Sequence, residues 1–217
     1  NPDPVIVPTP PPNPCLRPVD IVFILRRSAN PQIWRAMKEF VIAIMRAFPI
    51  GTNGAMFGVI TFGRSAQSQF YLSSYSDHSQ VEGHVGRLDN NDAGMGLLEA
   101  LELLLSQQFI LSSGDRANAP NFAIVITDEG CHVDENGFRE MSTRITAKGV
   151  TLVPVGMDSG RDQRLLVRDL EMMAKSPVRR DHSYFLVENI STHQIYVPMV
   201  ISYICNNCIL PTPERIR

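Results

Sequence analysis

The chain has 217 residues, 44% of them hydrophobic, and a formal net charge of -2. That suits one domain of moderate size with tails. The charge balance argues against nucleic acid as the main partner, because no basic excess is present to neutralise phosphates. No apolar run approaches membrane-spanning length, so no membrane partner is expected.

Residues 1–14, NPDPVIVPTPPPNP, hold seven prolines. They read as an extended, semi-rigid linker, and residues 209–217 have the same character. Asn1-Pro2-Asp3-Pro4 is not a signal peptide. Either one was removed or the chain is a module of a longer protein.

Val19 to Leu25 is a first strand, nearly all apolar and expected to be buried on both faces. Asn30-Pro31 then supplies a helix cap and a first helical position. Ile33, Trp34, Met37, Phe40, Val41, Ile44 and Met45 follow at helical spacing, which makes them core. Met56 to Phe62 is a second strand. Gly63-Arg64-Ser65 turns it into a third, 68–72, by a link short enough only for an antiparallel pair. Asp77 to Leu88 is a weaker helix. The polar loop 89–94 leads to a strong helix carrying Leu97, Leu98, Leu101, Leu104 and Leu105, ended by Ser112-Ser113-Gly114-Asp115.

Phe122 to Thr127 is another buried strand, followed by Asp128-Glu129-Gly130. A helix over 135–148, a strand Val150 to Val155 and a helix Arg164 to Lys175 come next. Tyr184 to Val187 is a short last strand. A final helix over 192–204 is expected to pack Ile195, Val200 and Ile204, with Pro198 a kink position. This order predicts an α/β fold: a doubly wound, mostly parallel six-stranded sheet, one antiparallel edge strand, and helices on both faces.

Cys15 precedes the first strand, and Cys205 and Cys208 follow the last helical pattern. That placement suggests a bridge tying the domain's ends together, Cys15 to Cys205 with Cys208 as the alternative, in an oxidising compartment. Cys205-Asn206-Asn207-Cys208 has no second CxxC or His pair to suit zinc, and no strand-to-helix context to suit redox work. Cys131 and Cys208 are then free or available for an intermolecular bond. Asn189-Ile190-Ser191 is a glycosylation sequon, with Asn189 the acceptor.

From Cys15 to Cys205 the chain resembles a von Willebrand factor type A domain. The likeness rests on Val19-Asp20-Ile21-Val22-Phe23-Ile24-Leu25, on Met56-Phe57-Gly58-Val59-Ile60-Thr61-Phe62-Gly63, and on Ile124-Val125-Ile126-Thr127-Asp128-Glu129-Gly130. It implies a domain over 15–208 between the two linkers. Many members of that family carry a metal-ion-dependent adhesion site, built from Asp-x-Ser-x-Ser after the first strand, a Thr in a second loop and the Asp of a Thr-Asp-Gly segment. A hard cation such as Mg²⁺ suits those oxygen ligands.

Set against that pattern, Arg26 stands at the first Asp, Ser28 matches the first Ser and Asn30 replaces the second. Asn91 falls at the Thr, Asp128 matches the last Asp, and Glu129 replaces the Gly. A guanidinium cannot ligate a cation. The site is therefore expected to be degenerate, with no cofactor, Mg²⁺ disfavoured, and Arg26 or Arg27 facing Asp128 or Asp92 as an internal charge. A site recruiting Asp92 or Glu129 is the alternative.

The five histidines show no metal spacing, and no GxSxG or convincing Cys–His pair suggests an enzyme. Arg161, Arg164, Arg168, Arg179 and Arg180 are read as a solvated basic face. The resemblance implies a secreted, non-catalytic adhesion module of the extracellular matrix, of the collagen VI, matrilin and byssal or shell matrix kind. Its partner would be fibrillar, with collagen the first candidate. The alternative is a structural domain that self-associates and cross-links copies of its own chain.

Overall fold

The structure is a computed structural model that describes residues 14–15, 17–91, 93–174 and 184–208. Nearly all of both proline-rich linkers, Asp92, Arg179, Arg180 and His182 lie outside these residues. Six strands form one sheet: β1 (Val19–Arg26), β2 (Ala55–Phe62), β3 (Ala66–Phe70), β4 (Asn121–Thr127), β5 (Val150–Met157) and β6 (Phe185–Val187). Their order is β3-β2-β1-β4-β5-β6. Every pairing is parallel except β2 with β3, so β3 is an antiparallel edge.

β1 is central, and all eight of its residues are buried. Side chains alternate across a strand. Val19, Ile21, Phe23 and Leu25 therefore enter one core with α1 (Pro31–Arg46), α2 (His78–Arg87) and α6 (Tyr196–Asn206). Val22 and Ile24 enter the other, with α3 (Leu97–Leu103), α4 (Glu135–Ala147) and α5 (Gln163–Ala174). Asp20 and Arg26 share this second face, one near each end of the strand. α1 starts where its sequence says: Asn30 Oδ1 accepts from the N–H groups of Gln32 and Ile33, and Pro31 is the first helical residue.

Several details differ from the sequence reading. β3 lies two residues earlier, starting directly after the turn Gly63-Arg64-Ser65, which is closed by Gly63 N–H to the Ser65 carbonyl at 2.9 Å. The leucine-rich helix does not run through: after Leu103 it widens into a π-helical turn over Leu104–Gln108. That extra residue brings Gln108 inside, where Nε2 donates to the Phe70 carbonyl at 3.1 Å. Gly58 of β2 makes the room, since a Cβ there would lie 2.3 Å from Gln108 Oε1.

The final helix is instead a 3₁₀ segment, Ile190–Ile195, followed by α6. Ile195 is 64% exposed rather than packed, although Val200 and Ile204 are fully buried. Pro198 is no kink. It is the third residue of α6, where the backbone N–H has no partner within the helix anyway.

Below β1, Arg116 closes the amino-terminal end of the sheet. Its Nε donates to Asp20 Oδ1 at 2.8 Å, its backbone N–H to Oδ2 at 2.9 Å, and its Nη groups to the carbonyls of Val19, Gly51, Thr52 and Gly54. Burial raises the Asp20 carboxyl above its ordinary range while Arg116 pulls it back down. Cys15 and Cys205 are disulfide-bonded, joining the start of β1 to the end of α6.

Candidate site at the upper end of the sheet

The carboxyl ends of parallel strands are where α/β domains place their ligand sites. Here the end of β1, the turn after β4 and the loop before α3 meet around one guanidinium. Arg26 is the last residue of β1, with its side chain 5% exposed. Its Nη1 donates to Asp128 Oδ1 at 2.6 Å, its Nη2 to Glu129 Oε2 at 3.1 Å, and its Nε to the Gly94 carbonyl at 3.0 Å. Each edge of the guanidinium is thus engaged by a different acceptor.

The acceptors are themselves held. Ser28 Oγ donates to the other oxygen of Asp128 at 2.6 Å and accepts the Asn30 N–H at 3.0 Å. Thr127 Oγ1 donates to the Glu129 carbonyl at 2.6 Å, shaping the turn. Glu129 Oε1 takes Arg161 Nη1 at 3.2 Å from the solvent side. Gly94 sits against the β2–β3 turn so closely that a Cβ would lie 2.3 Å from the Arg64 N, and Gly96 N–H bonds the Gly63 carbonyl at 2.7 Å.

Of the residues singled out in the sequence, Arg26, Ser28 and Asp128 come together. Asn30 contributes only through its backbone N–H, because its side chain caps α1. Asn91 does not reach the site. It is exposed, and its N–H bonds Asp89 Oδ1 at 3.1 Å. The group its loop does supply is the Gly94 carbonyl, while Asn90 Nδ2 braces the Ser28 carbonyl at 2.9 Å. Arg27 turns the other way, toward the Ser65 carbonyl and Gln67 at 3.5 and 3.4 Å.

Sequence reasoning missed Asp169. It is fully buried in α5, and its Oδ2 accepts the Cys131 N–H at 2.6 Å, which fixes the chain just after Asp128 and Glu129. Arg168 reaches its Oδ1 at 2.9 Å. A signal was present: Asp169 interrupts the stripe Leu166, Leu170, Met173 at a core position.

This donor set does not suit a hard divalent cation. The carboxylate that would ligate it already carries a charge-assisted bond on each oxygen. A guanidinium within 2.6 Å of that carboxylate repels a second positive charge. Among the described residues no group of three or more His, Cys, Asp or Glu side chains is placed to hold a metal ion.

Cys131 and Cys208, left by the sequence as candidates for intermolecular bonds, are both buried. Burial pushes the Cys131 thiol up to about 12 and the Cys208 thiol up to about 11. Thiolates are the reactive species, so neither is poised to cross-link. In the native oxidised protein, iodoacetamide at neutral pH is expected to label neither residue, and both after unfolding. Rapid native labelling of Cys131, read by mass spectrometry, would contradict this placement.

At the β6 edge of the sheet, a groove of about 710 Å³ opens between β6 and α6. Tyr184, Phe185, Tyr196, Met199 and Tyr203 line it.

A six-stranded sheet with one antiparallel edge, helices on both faces and this loop cluster defines the type A class of α/β domain. The von Willebrand factor type A domain family model matches residues 20–196, and the chain belongs to that family. Mouse matrilin-3 is 29% identical over 175 residues, 78% of this chain and 34% of that protein. Human vitrin is 27% identical over 193 residues, 88% and 26% respectively. The mouse collagen alpha-4(VI) chain is 24% identical over 172 residues, 78% and 7%. The chain therefore spans about a third or less of these relatives. Among solved structures, proximal thread matrix protein 1 from the mussel byssus superposes with TM-score 0.70 at 21% identity, over 88% of this chain and 47% of that one. These relatives are extracellular-matrix proteins, and by that kinship the chain is a secreted matrix domain, to which its disulfide is suited. No described helix is long and apolar enough to cross a membrane.

Proposed function

We propose that the domain is a non-catalytic interaction module of a matrix protein that engages its partner without a metal ion, with a fibrillar protein such as collagen first in line. The observation that supports this is the Arg26 guanidinium lodged between Asp128, Glu129 and the Gly94 carbonyl. An acidic side chain from a partner has no open coordination position to complete there, and Arg26 is too buried to offer a substitute. Contact must come from the outer surfaces. The ring-lined groove beside α6 supports a fibrillar, proline-rich partner, because extended proline-rich strands dock in aromatic grooves.

The test is capture of the chain on fibrillar collagen with and without EDTA. Equal capture in both is expected. Binding lost on chelation would sink the metal-independent reading. No capture in either would sink the collagen reading, and sedimentation of the same chain would then show whether it associates with itself.

A further inference from the structure

We propose that Asn189 carries an N-linked glycan. Asn189-Ile190-Ser191 is the chain's one Asn-x-Ser/Thr sequence with a residue other than Pro in the middle. By itself such a triplet is weak, and its fold context decides whether the product is tolerated. Asn189 follows β6 by two residues, in extended backbone at φ -123° and ψ 112°, and caps the 3₁₀ segment Ile190–Ile195. Both Asn189 and Ser191 are exposed.

The two ends of the Asn189 amide have separate tasks. Oδ1 accepts the Ser191 N–H at 2.9 Å, and the Asn189 carbonyl accepts the Thr192 N–H and Oγ1 at 2.9 and 2.8 Å. Nδ2 makes no hydrogen bond among the described residues. A sugar on Nδ2 therefore breaks nothing: the substituted amide keeps its oxygen as acceptor, and the cap stays intact. The acceptor nitrogen is the atom the fold leaves spare.

The donor is a lipid-pyrophosphate-linked oligosaccharide of the secretory membrane, brought by its transferase. Nδ2 attacks the anomeric carbon. The N–C bond forms, the C–O bond to pyrophosphate breaks, the lipid pyrophosphate leaves with that electron pair, and the amide proton passes to a base. Oxidation states do not change.

The position has a consequence. β6 runs parallel to β5, β4 and β1, so Asn189 stands at the same end of the sheet as Arg26. Three strand spacings separate them, roughly 15 Å. A hydrated oligosaccharide there shields β6, the edge strand among the described residues, where strand addition from another chain would otherwise begin. It also blocks approach to the upper loops from that side.

The chain should be expressed through the secretory pathway of animal cells, with cell-associated and exported pools both analysed so that poor export hides nothing. Peptide N-glycosidase is expected to increase its mobility, and digestion in heavy-oxygen water should place the label at position 189. Asn189→Gln and Ser191→Ala should each abolish the shift, while Ser191→Thr should keep it. A chain whose mobility the enzyme leaves unchanged, or a label found elsewhere, would overturn the proposal.

Discussion

Arg26→Met is expected to lower the unfolding free energy by about 3–5 kcal/mol, the usual cost of removing one partner from a buried ion pair. The substitution keeps most of the side-chain volume. What it removes is the charge facing Asp128, whose side chain is 2% exposed. Asp128 would be left with the Ser28 hydroxyl alone, and the Gly94 carbonyl would lose its donor. Urea unfolding reads the difference as a lower midpoint at unchanged slope. Adding Asp128→Asn should recover part of the loss, because the uncompensated charge goes with it. A single-variant loss under about 1 kcal/mol would mean that the pair is no more than a surface contact.

Arg26→Asp sharpens the same point. It sets two carboxylates and the Ser28 hydroxyl around one spot, which is unfavourable without a cation. That variant should be unstable in EDTA and regain stability as Mn²⁺ is added, by about 2.7 kcal/mol at a hundred times the dissociation constant. The native chain should gain nothing under the same conditions.

The disulfide carries the second large effect. Cys15 and Cys205 are 190 residues apart in sequence. Chain-entropy arguments give a bridge of that span about 5 kcal/mol, with measured losses commonly 2–5 kcal/mol. Reduction, or Cys15→Ser, should bring the stability down by that range under urea. Cys205→Ser separates the pairings. With Cys208 buried and its Sγ donating to the Ile204 carbonyl at 3.2 Å, no replacement bridge is expected. A Cys205→Ser chain that still loses stability on reduction would show that Cys208 takes over.

Much of the sheet was legible because its strands are buried on both faces and so appear as nearly continuous apolar runs, as in β1 and β5. The antiparallel edge was legible from the three-residue turn, which no parallel connection can use. The π-helical turn at Leu104–Gln108 was not, because it depends on the space left by Gly58, a contact across about fifty positions of sequence. At the site, Arg26, Ser28 and Asp128 were legible because the resemblance to the type A family lines them up with its adhesion-site pattern. The loop before α3 was not. Its contribution is a carbonyl, at Gly94, and a backbone group leaves no residue signature. Asn91 was chosen for its side chain, but the residue is exposed and its bond, from the backbone N–H, goes to Asp89. Arg116 was missed for a related reason, since one loop arginine closing four backbone carbonyls and one carboxylate at the lower end has no pattern along the chain.

A built-in guanidinium fills the space between Asp128, Glu129 and the Gly94 carbonyl. Calorimetric titration of the unmodified chain with Mn²⁺ and with Mg²⁺ shows whether that space still takes a cation. No saturable heat in the low-millimolar range is expected. One-to-one binding at low-millimolar affinity or tighter, abolished by Asp128→Asn, would contradict it.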